Sequence, residues 1–288
     1  MREVIRRGLR TDVVPDVTRF AQRLSARHGS GALAVLFYGS CLRSGGLDGL
    51  LDFYLVVDSY RDAYSSRRLA LANRLLPPNV FYLQDDASGR TLRAKYAVIS
   101  LAQLRRLVGA SVLQSYFWAR FGQPMRLVWC RDPAVETALI ETLAVAAATL
   151  YRSAPAQATT LERWRVALSL SYGAELRPEG AAVAARLVQA DRAYFTRLGE
   201  ALERGDGVVA GRGSAAVAWL MRRCWGKTLN VARVIKAYWT FAGGVDYLFW
   251  KIGRHSGVTV EVTDAMRRHP WRRALPKLWR LYRQGAFR

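Results

Sequence analysis

Seven consecutive apolar or aromatic residues, Ala32-Leu-Ala-Val-Leu-Phe-Tyr38, leave no position for contact with water. A strand written as an unbroken apolar run is buried on both faces, so this chain must build a sheet covered on two sides. Gly39-Ser40 stops the run, and after a glycine-containing linker through Gly49 comes a second strand, Leu51-Asp-Phe-Tyr-Leu-Val-Val57. One carboxylate, Asp52, stands inside that second run. An unpaired carboxylate there is costly, so Asp52 is expected to face a cation or a polar cleft.

Around these strands the pattern is mixed and then helical. Val17, Phe20, Ala21 and Leu24 fall at helical spacing, which predicts a helix over 14–28. A helix over 60–76 should stop at Pro77-Pro78, followed by strands over 79–83 and 93–99 joined by a polar turn. Helices are expected over 101–108, 111–121, 133–151, 161–172 and 180–204. Pro133 opens a new helix, so a domain boundary is placed at 132. The fold class is therefore α+β, with a mixed-sheet domain over 1–132, a helical domain over 133–211 that completes the site, and a basic, aromatic C-terminal region over 212–288.

The formal charge of +22 implies a polyanionic partner: nucleic acid, an anionic lipid surface or a polyphosphate. Three scattered cysteines and three dispersed histidines argue against a disulfide framework and a structural zinc site, and fit a reducing cytoplasm. Asp12 and Asp16 soon follow the basic start and count against a transit peptide. The apolar stretches around 134–151 and 237–250 carry acids, which speaks against an integral membrane protein and leaves a peripheral one.

The chemistry-bearing pattern is Phe37-Tyr-Gly-Ser40, eleven residues, then Asp52-Phe-Tyr54. It resembles the nucleotidyltransferases of the DNA polymerase β superfamily, where glycine admits a triphosphate, backbone NH groups and the serine hydroxyl cradle it, and a strand acid holds Mg²⁺. A plain glycine turn beside an incidental aspartate is the alternative. Most of that superfamily carries a second acid two residues after the first, where this chain has Tyr54; Asp58 sits at the strand's end.

Three later segments keep a matching order: Lys95-Tyr-Ala-Val-Ile-Ser100, Trp118-Ala-Arg-Phe-Gly-Gln-Pro124 and Leu168-Ser-Leu-Ser-Tyr-Gly-Ala-Glu-Leu-Arg177. With Tyr38-Gly-Ser40 and Asp52 they resemble the mitochondrial translocator assembly and maintenance family of phosphatidate cytidylyltransferases, in a distant, bacterial-type form. That family also has an apolar residue where the second acid would stand. It departs here at Ala97, where the family has glycine, and at Glu175, where it has aspartate. The resemblance implies CTP and phosphatidic acid as substrates, Mg²⁺ as cofactor, and CDP-diacylglycerol and pyrophosphate as products. It further implies that Gly39 and Ser40 cradle the CTP phosphates, that Asp52 ligates Mg²⁺, and that Glu175 is either its partner carboxylate at the metal or the base that orients the attacking lipid phosphate. Lys95 and Arg177 would neutralise phosphate charge, and Tyr172 would pack near the nucleotide. An exposed lysine and a local Glu175–Arg177 ion pair are the plainer readings of those residues.

From Arg212 onward the chain holds 16 Arg or Lys against three acids, interleaved with tryptophans. Trp271, Leu275, Leu278, Trp279 and Tyr282 form one helical stripe, with Arg272, Arg273, Lys277 and Arg280 on the remaining positions and Pro276 a kink. That pattern predicts an interfacial helix on an anionic membrane surface, or a helix docked on the protein's own core. The expected location is the cytoplasmic face of a bacterial inner membrane, as a peripheral protein with no nucleic-acid partner. The rival readings are a nucleotidyltransferase acting on RNA or protein, and a catalytically inactive basic nucleotide- or lipid-binding protein.

Overall fold

The two apolar runs are neighbouring strands. In the computed structural model, which describes residues 1–87, 90–157, 159–175, 180–205, 216–240 and 262–268, β1 (Ala32–Tyr38) pairs antiparallel with β2 (Leu50–Val57), from Ala32↔Val57 to Tyr38↔Asp52. On its other edge β2 pairs in parallel with β4 (Arg90–Ser100), setting Asp52 opposite Lys95. β3 (Asn79–Ala87) runs antiparallel to β4, and β5 (Arg126–Cys130) antiparallel to β1. The sheet is mixed, five-stranded and ordered β3-β4-β2-β1-β5, with β2 at its centre.

Both faces are covered, as the apolar runs require. One face packs under α2 (Pro15–Ala26), whose Val17, Phe20, Ala21 and Leu24 are fully buried. Phe20 stacks on Phe53 of β2 with ring centroids 5.4 Å apart. The opposite face, carrying Tyr54 and Val56, shares one core with α1 (Arg2–Leu9), α7 (Tyr116–Phe121), α8 (Pro133–Ser153), α9 (Thr160–Gly173), α10 (Gly180–Ala190) and α11 (Arg192–Glu203). Asp132 accepts a hydrogen bond from the Val135 backbone NH at 2.9 Å and Pro133 takes the first turn, which starts α8 where the sequence signals it. α8 is long and apolar enough to span a bilayer, yet 67% of its apolar window is buried inside the protein. One continuous core joins Leu36, Tyr54 and Ile99 to Leu143, Trp164 and Phe195, so the packing runs across residue 132.

Several elements differ from the periodicity. The helix expected over 60–76 divides into α4 (Tyr60–Ala63) and α5 (Arg67–Leu75), because Ser59 and Ser66 each cap a new N-terminus by accepting from the backbone NH of Asp62 and Leu69. The strands expected over 79–83 and 93–99 extend into a longer hairpin, since strand pairing satisfies polar residues that the apolar pattern ignores. Residues 180–204 make two helices that break at Asp191. Helix 101–108 is α6 (Leu101–Leu107), and only the last part of 111–121 is helical, as α7. Neither α1 nor the half-buried edge strand β5 is evident from the pattern alone.

Across these elements lies α12 (Ala216–Thr240); a short α13 (Asp264–Arg268) follows it. The buried side of α12 is polar, and it docks on backbone carbonyls. Trp219 Nε1 donates to the Ser153 carbonyl at 3.1 Å, and Arg222 Nη1 to those of Val112 and Leu113 at 2.6 and 2.9 Å. Arg233 Nε donates to the Pro77 carbonyl at 2.9 Å, and Lys236 Nζ to Pro78 O at 2.7 Å and to Leu76 O. Gly226 is needed for this approach, because a Cβ there would stand 2.5 Å from the Ala174 carbonyl oxygen.

Burial, and then the neighbouring Arg233, lower the Lys236 ammonium to about 7. In the unfolded chain a lysine titrates near 10.4, so between these values the unfolded state binds more protons and folding is favoured as pH rises. Wild type should therefore gain stability relative to Lys236→Met between pH 6.5 and 9, read as the difference in urea-unfolding free energy. A difference that stays flat or shrinks over that range would contradict the buried ammonium.

Candidate active site

Three strands bring the expected Asp52 and Lys95 into one polar row. Tyr38, Asp52 and Lys95 are cross-strand partners on β1, β2 and β4, and Tyr82 of β3 continues the row beyond Lys95. Alternation along each strand puts them on the same face of the sheet as Tyr54 and Ala97, but one row nearer its end. There the apolar core gives way to polar groups, which is why a carboxylate survives in so apolar a strand.

Gly39 fixes the geometry. Its backbone, at φ 94° and ψ −161°, occupies a region essentially closed to residues with a Cβ. A Cβ at 39 would also stand 2.6 Å from Oδ2 of Asp52. The turn therefore lies directly against the carboxylate, and Ser40 opens α3 (Ser40–Ser44) beside it, exposed to solvent. Lys95 Nζ is 3.5 Å from Asp52 Oδ1, an ion pair too long for a hydrogen bond and open to water, with side chains 36% and 21% exposed. A pair this loose leaves the ammonium able to reach a further anion.

Behind this row stands an aromatic wall. Tyr38 stacks on Tyr54 at 5.0 Å, Tyr54 packs on Phe121 at 4.5 Å, and the Tyr54 and Tyr116 hydroxyls are 3.4 Å apart. Tyr54, two residues after Asp52, is thus given over to packing. Burial, and next the Asp52 carboxylate, raise the Tyr38 phenol well above its ordinary range, while Arg120 opposes them. Burial also works against ionisation of Tyr116, but Arg120, the Tyr54 hydrogen bond and Arg233 outweigh it and lower that phenol. Arg120 lies 5.0 Å from the centre of the Tyr116 ring, and Arg233 lies 4.6 Å from it.

Glu175 belongs to this second layer. It is 7% exposed, and its Oε2 accepts from Nη2 of Arg120 at 3.1 Å. Burial alone would favour loss of the Arg120 proton, but Glu175 and the surrounding phenols outweigh it and hold the guanidinium charged. Arg120, the partner of Glu175, lies over the Tyr116 ring, whose hydroxyl meets that of the Tyr54 stacked on Tyr38. Among the described residues no three His, Cys, Asp or Glu side chains converge as a metal site. Tyr172, expected beside the nucleotide, is 1% exposed; it accepts a hydrogen bond from Gln123 Nε2 at 2.8 Å and underlies Arg120 instead of offering its ring to a ligand.

Arg177, Trp271, Arg272, Arg273, Lys277, Trp279 and Arg280 lie outside the described residues. Tyr38, Tyr116, Arg120 and Arg233 were not singled out from sequence. Tyr38 and Arg120 stand inside quoted motifs, while nothing local marks Tyr116 or Arg233, which arrive through tertiary packing. No protein-family model matches the chain, and no curated protein matches it.

Gly39→Ala should destabilise the fold by about 1–3 kcal/mol, the scale of a strained backbone position. Gly45, at φ 70° with open space around it, provides the comparison. In urea unfolding Gly39→Ala should cost more than Gly45→Ala, and the excess should shrink in an Asp52→Gly background. Equal costs, or an excess indifferent to Asp52, would deny the contact between the turn and the carboxylate.

Proposed function

We propose that this chain is a nucleotidyltransferase of the polymerase-β-like type that joins CTP to phosphatidic acid, releasing pyrophosphate and forming CDP-diacylglycerol. The observation that carries the reading is the direct packing of the Gly39 turn on the Asp52 carboxylate, with Lys95 across the same row. The glycine turn after β1, the acid on β2 and the lysine on β4 converge at a solvent-open end of the sheet, which is what a triphosphate site needs.

In this reading a phosphate oxygen of the lipid bonds to the α-phosphorus of CTP as the α–β bridging bond breaks, and pyrophosphate leaves with those electrons. Backbone NH groups after Gly39 and the Ser40 hydroxyl receive phosphate oxygens. Lys95 offsets charge on the triphosphate. A Mg²⁺ bound with the nucleotide would neutralise the phosphates between which the bond breaks, and Asp52 is the residue to hold it. One protein carboxylate suits an ion that is otherwise carried by substrate phosphates and water. Glu175 contributes by keeping Arg120 charged and in place behind the aromatic wall.

The lipid substrate calls for contact with a bilayer, and α12 supports it. Val217, Leu220, Met221, Trp225, Val231, Val234 and Ile235 are all exposed along one side of that helix, with Arg223 and Lys227 exposed on its shoulder. An exposed apolar stripe edged by cations matches an anionic interface.

The deciding assay is pyrophosphate release with CTP, Mg²⁺ and vesicles containing phosphatidic acid. Release that depends on all three supports the assignment. Release with RNA in place of lipid, or none at all, overturns it. Asp52→Asn should lower turnover about a hundredfold, the scale of removing one electrostatic stabiliser, with unchanged thermal unfolding. For the membrane face, Leu220→Asp/Val234→Asp should reduce flotation with anionic vesicles without changing tryptophan fluorescence in solution. Undiminished flotation would remove α12 from the membrane contact.

A further inference from the structure

A cleft of about 920 Å³ opens at the far end of the sheet, where the parallel strands β2 and β4 finish at Val57 and Ser100. It lies roughly 20 Å along β2 from Asp52 at 3.3 Å per residue, too far for one triphosphate to occupy both. The carboxyl ends of parallel strands are where open α/β sheets commonly bind ligands. The volume falls within the usual range for a small-molecule site.

Its lining is one-sided in charge. Arg61, Arg67, Arg74 and Arg106 line it, against the single acid Asp58. All four arginines are exposed, and among the described residues none is ion-paired with a carboxylate. Elsewhere on the same surface arginines do find acids, as with Arg10 and Glu136 or Arg23 and Asp85. Four guanidiniums around one concavity repel one another, and an anion bound among them would offset that cost.

The floor beneath is rigid. Tyr60 donates its hydroxyl hydrogen to Gln103 Oε1 at 2.5 Å and accepts from the Ser100 backbone NH at 3.1 Å. Gln103 Nε2 in turn donates to the Arg74 carbonyl at 2.9 Å. Buried Asn73 donates to the Tyr64 hydroxyl and to the Val98 carbonyl, both at 2.9 Å, and accepts from the Asn79 NH at 2.8 Å. These bonds tie α4, α5, β4 and α6 together, so the cationic walls stand on a fixed base. Such a base limits the ordering cost of binding.

We propose that this cleft is a second anion site that takes a compact ligand bearing two or more phosphates. Guanidinium groups recognise phosphate oxygens bidentately, and four of them across one cleft exceed what a single phosphate can engage. The site is separate from Asp52 and does not depend on the transferase reading.

Titration calorimetry with inorganic tripolyphosphate tests it. Wild type should bind saturably, and orthophosphate more weakly. Arg61→Gln/Arg106→Gln should weaken tripolyphosphate binding about tenfold or more, the loss of two charged hydrogen-bonding groups. The control is Arg68→Gln/Arg105→Gln, which removes the same charge from α5 and α6 at exposed positions outside the lining; it should change affinity less than about twofold. Vesicles containing phosphatidic acid, tested with the same pair of variants, tell a lipid headgroup from a free oligophosphate: selective loss in that arm alone assigns the cleft to a headgroup and overturns the free-ligand form. Equal losses in the lining and control variants, or no saturable binding, overturn the site altogether. So does an oligouridine that displaces tripolyphosphate and weakens equally in both variants, since the surface would then be a general nucleic-acid face.

Discussion

The central position of β2 constrains everything around it. A strand flanked by β1 and β4 and buried on both faces can hold a charge only where the cover ends, and Asp52 sits at that place. Its carboxylate then needs close neighbours that do not displace it. Glycine at 39 supplies one by having no side chain, and Lys95 supplies the other by register, since parallel pairing sets it opposite. A one-residue slip between β2 and β4 would turn Lys95 to the other face and bring an apolar neighbour, Ala94 or Tyr96, to the carboxylate.

Behind the row, buried charge is paired between elements. Arg120 is held by Glu175 and by the faces of Tyr116 and Tyr172, so one guanidinium joins α7 to the end of α9. Arg233 reaches the same Tyr116 ring from α12, which otherwise docks through carbonyls that helices and loops leave open at their ends. Part of the chain's basic complement is therefore structural. Arg222, Arg233 and Lys236 cap backbone oxygens, while Arg61, Arg67, Arg74 and Arg106 stay at the surface around the second cleft. The charge of +22 has at least two separate uses, and a net figure cannot divide them.

Much of the local architecture was legible. The apolar runs gave both central strands, Asp132-Pro133 gave the start of α8, and the placement of Asp52 followed from the cost of burying its charge. Tyr54 was less transparent: in sequence it reads as a missing acid, in space as the centre of a stack between Tyr38 and Phe121. Glu175 was legible as an important carboxylate but not as the counter-ion of Arg120, because the two are 55 residues apart and meet only when α9 packs on α7. Tyr172 had the same fate, its phenol turned to Gln123 and sealed in the core.

What the sequence alone determined is whatever depends on neighbours along the chain. Apolar runs demand two-sided cover, glycine permits a backbone that other residues resist, and proline and serine mark where helices begin, all through local sterics and hydrogen bonding. What only the tertiary structure decided is which distant side chains share a charge or a face. Lys95 beside Asp52, Arg120 beside Glu175, α12 across the carbonyls of residues 76–78, and four arginines around one cleft all depend on strand order and helix packing. Coulombic and packing energies follow distance in space, and separation along the chain does not encode it.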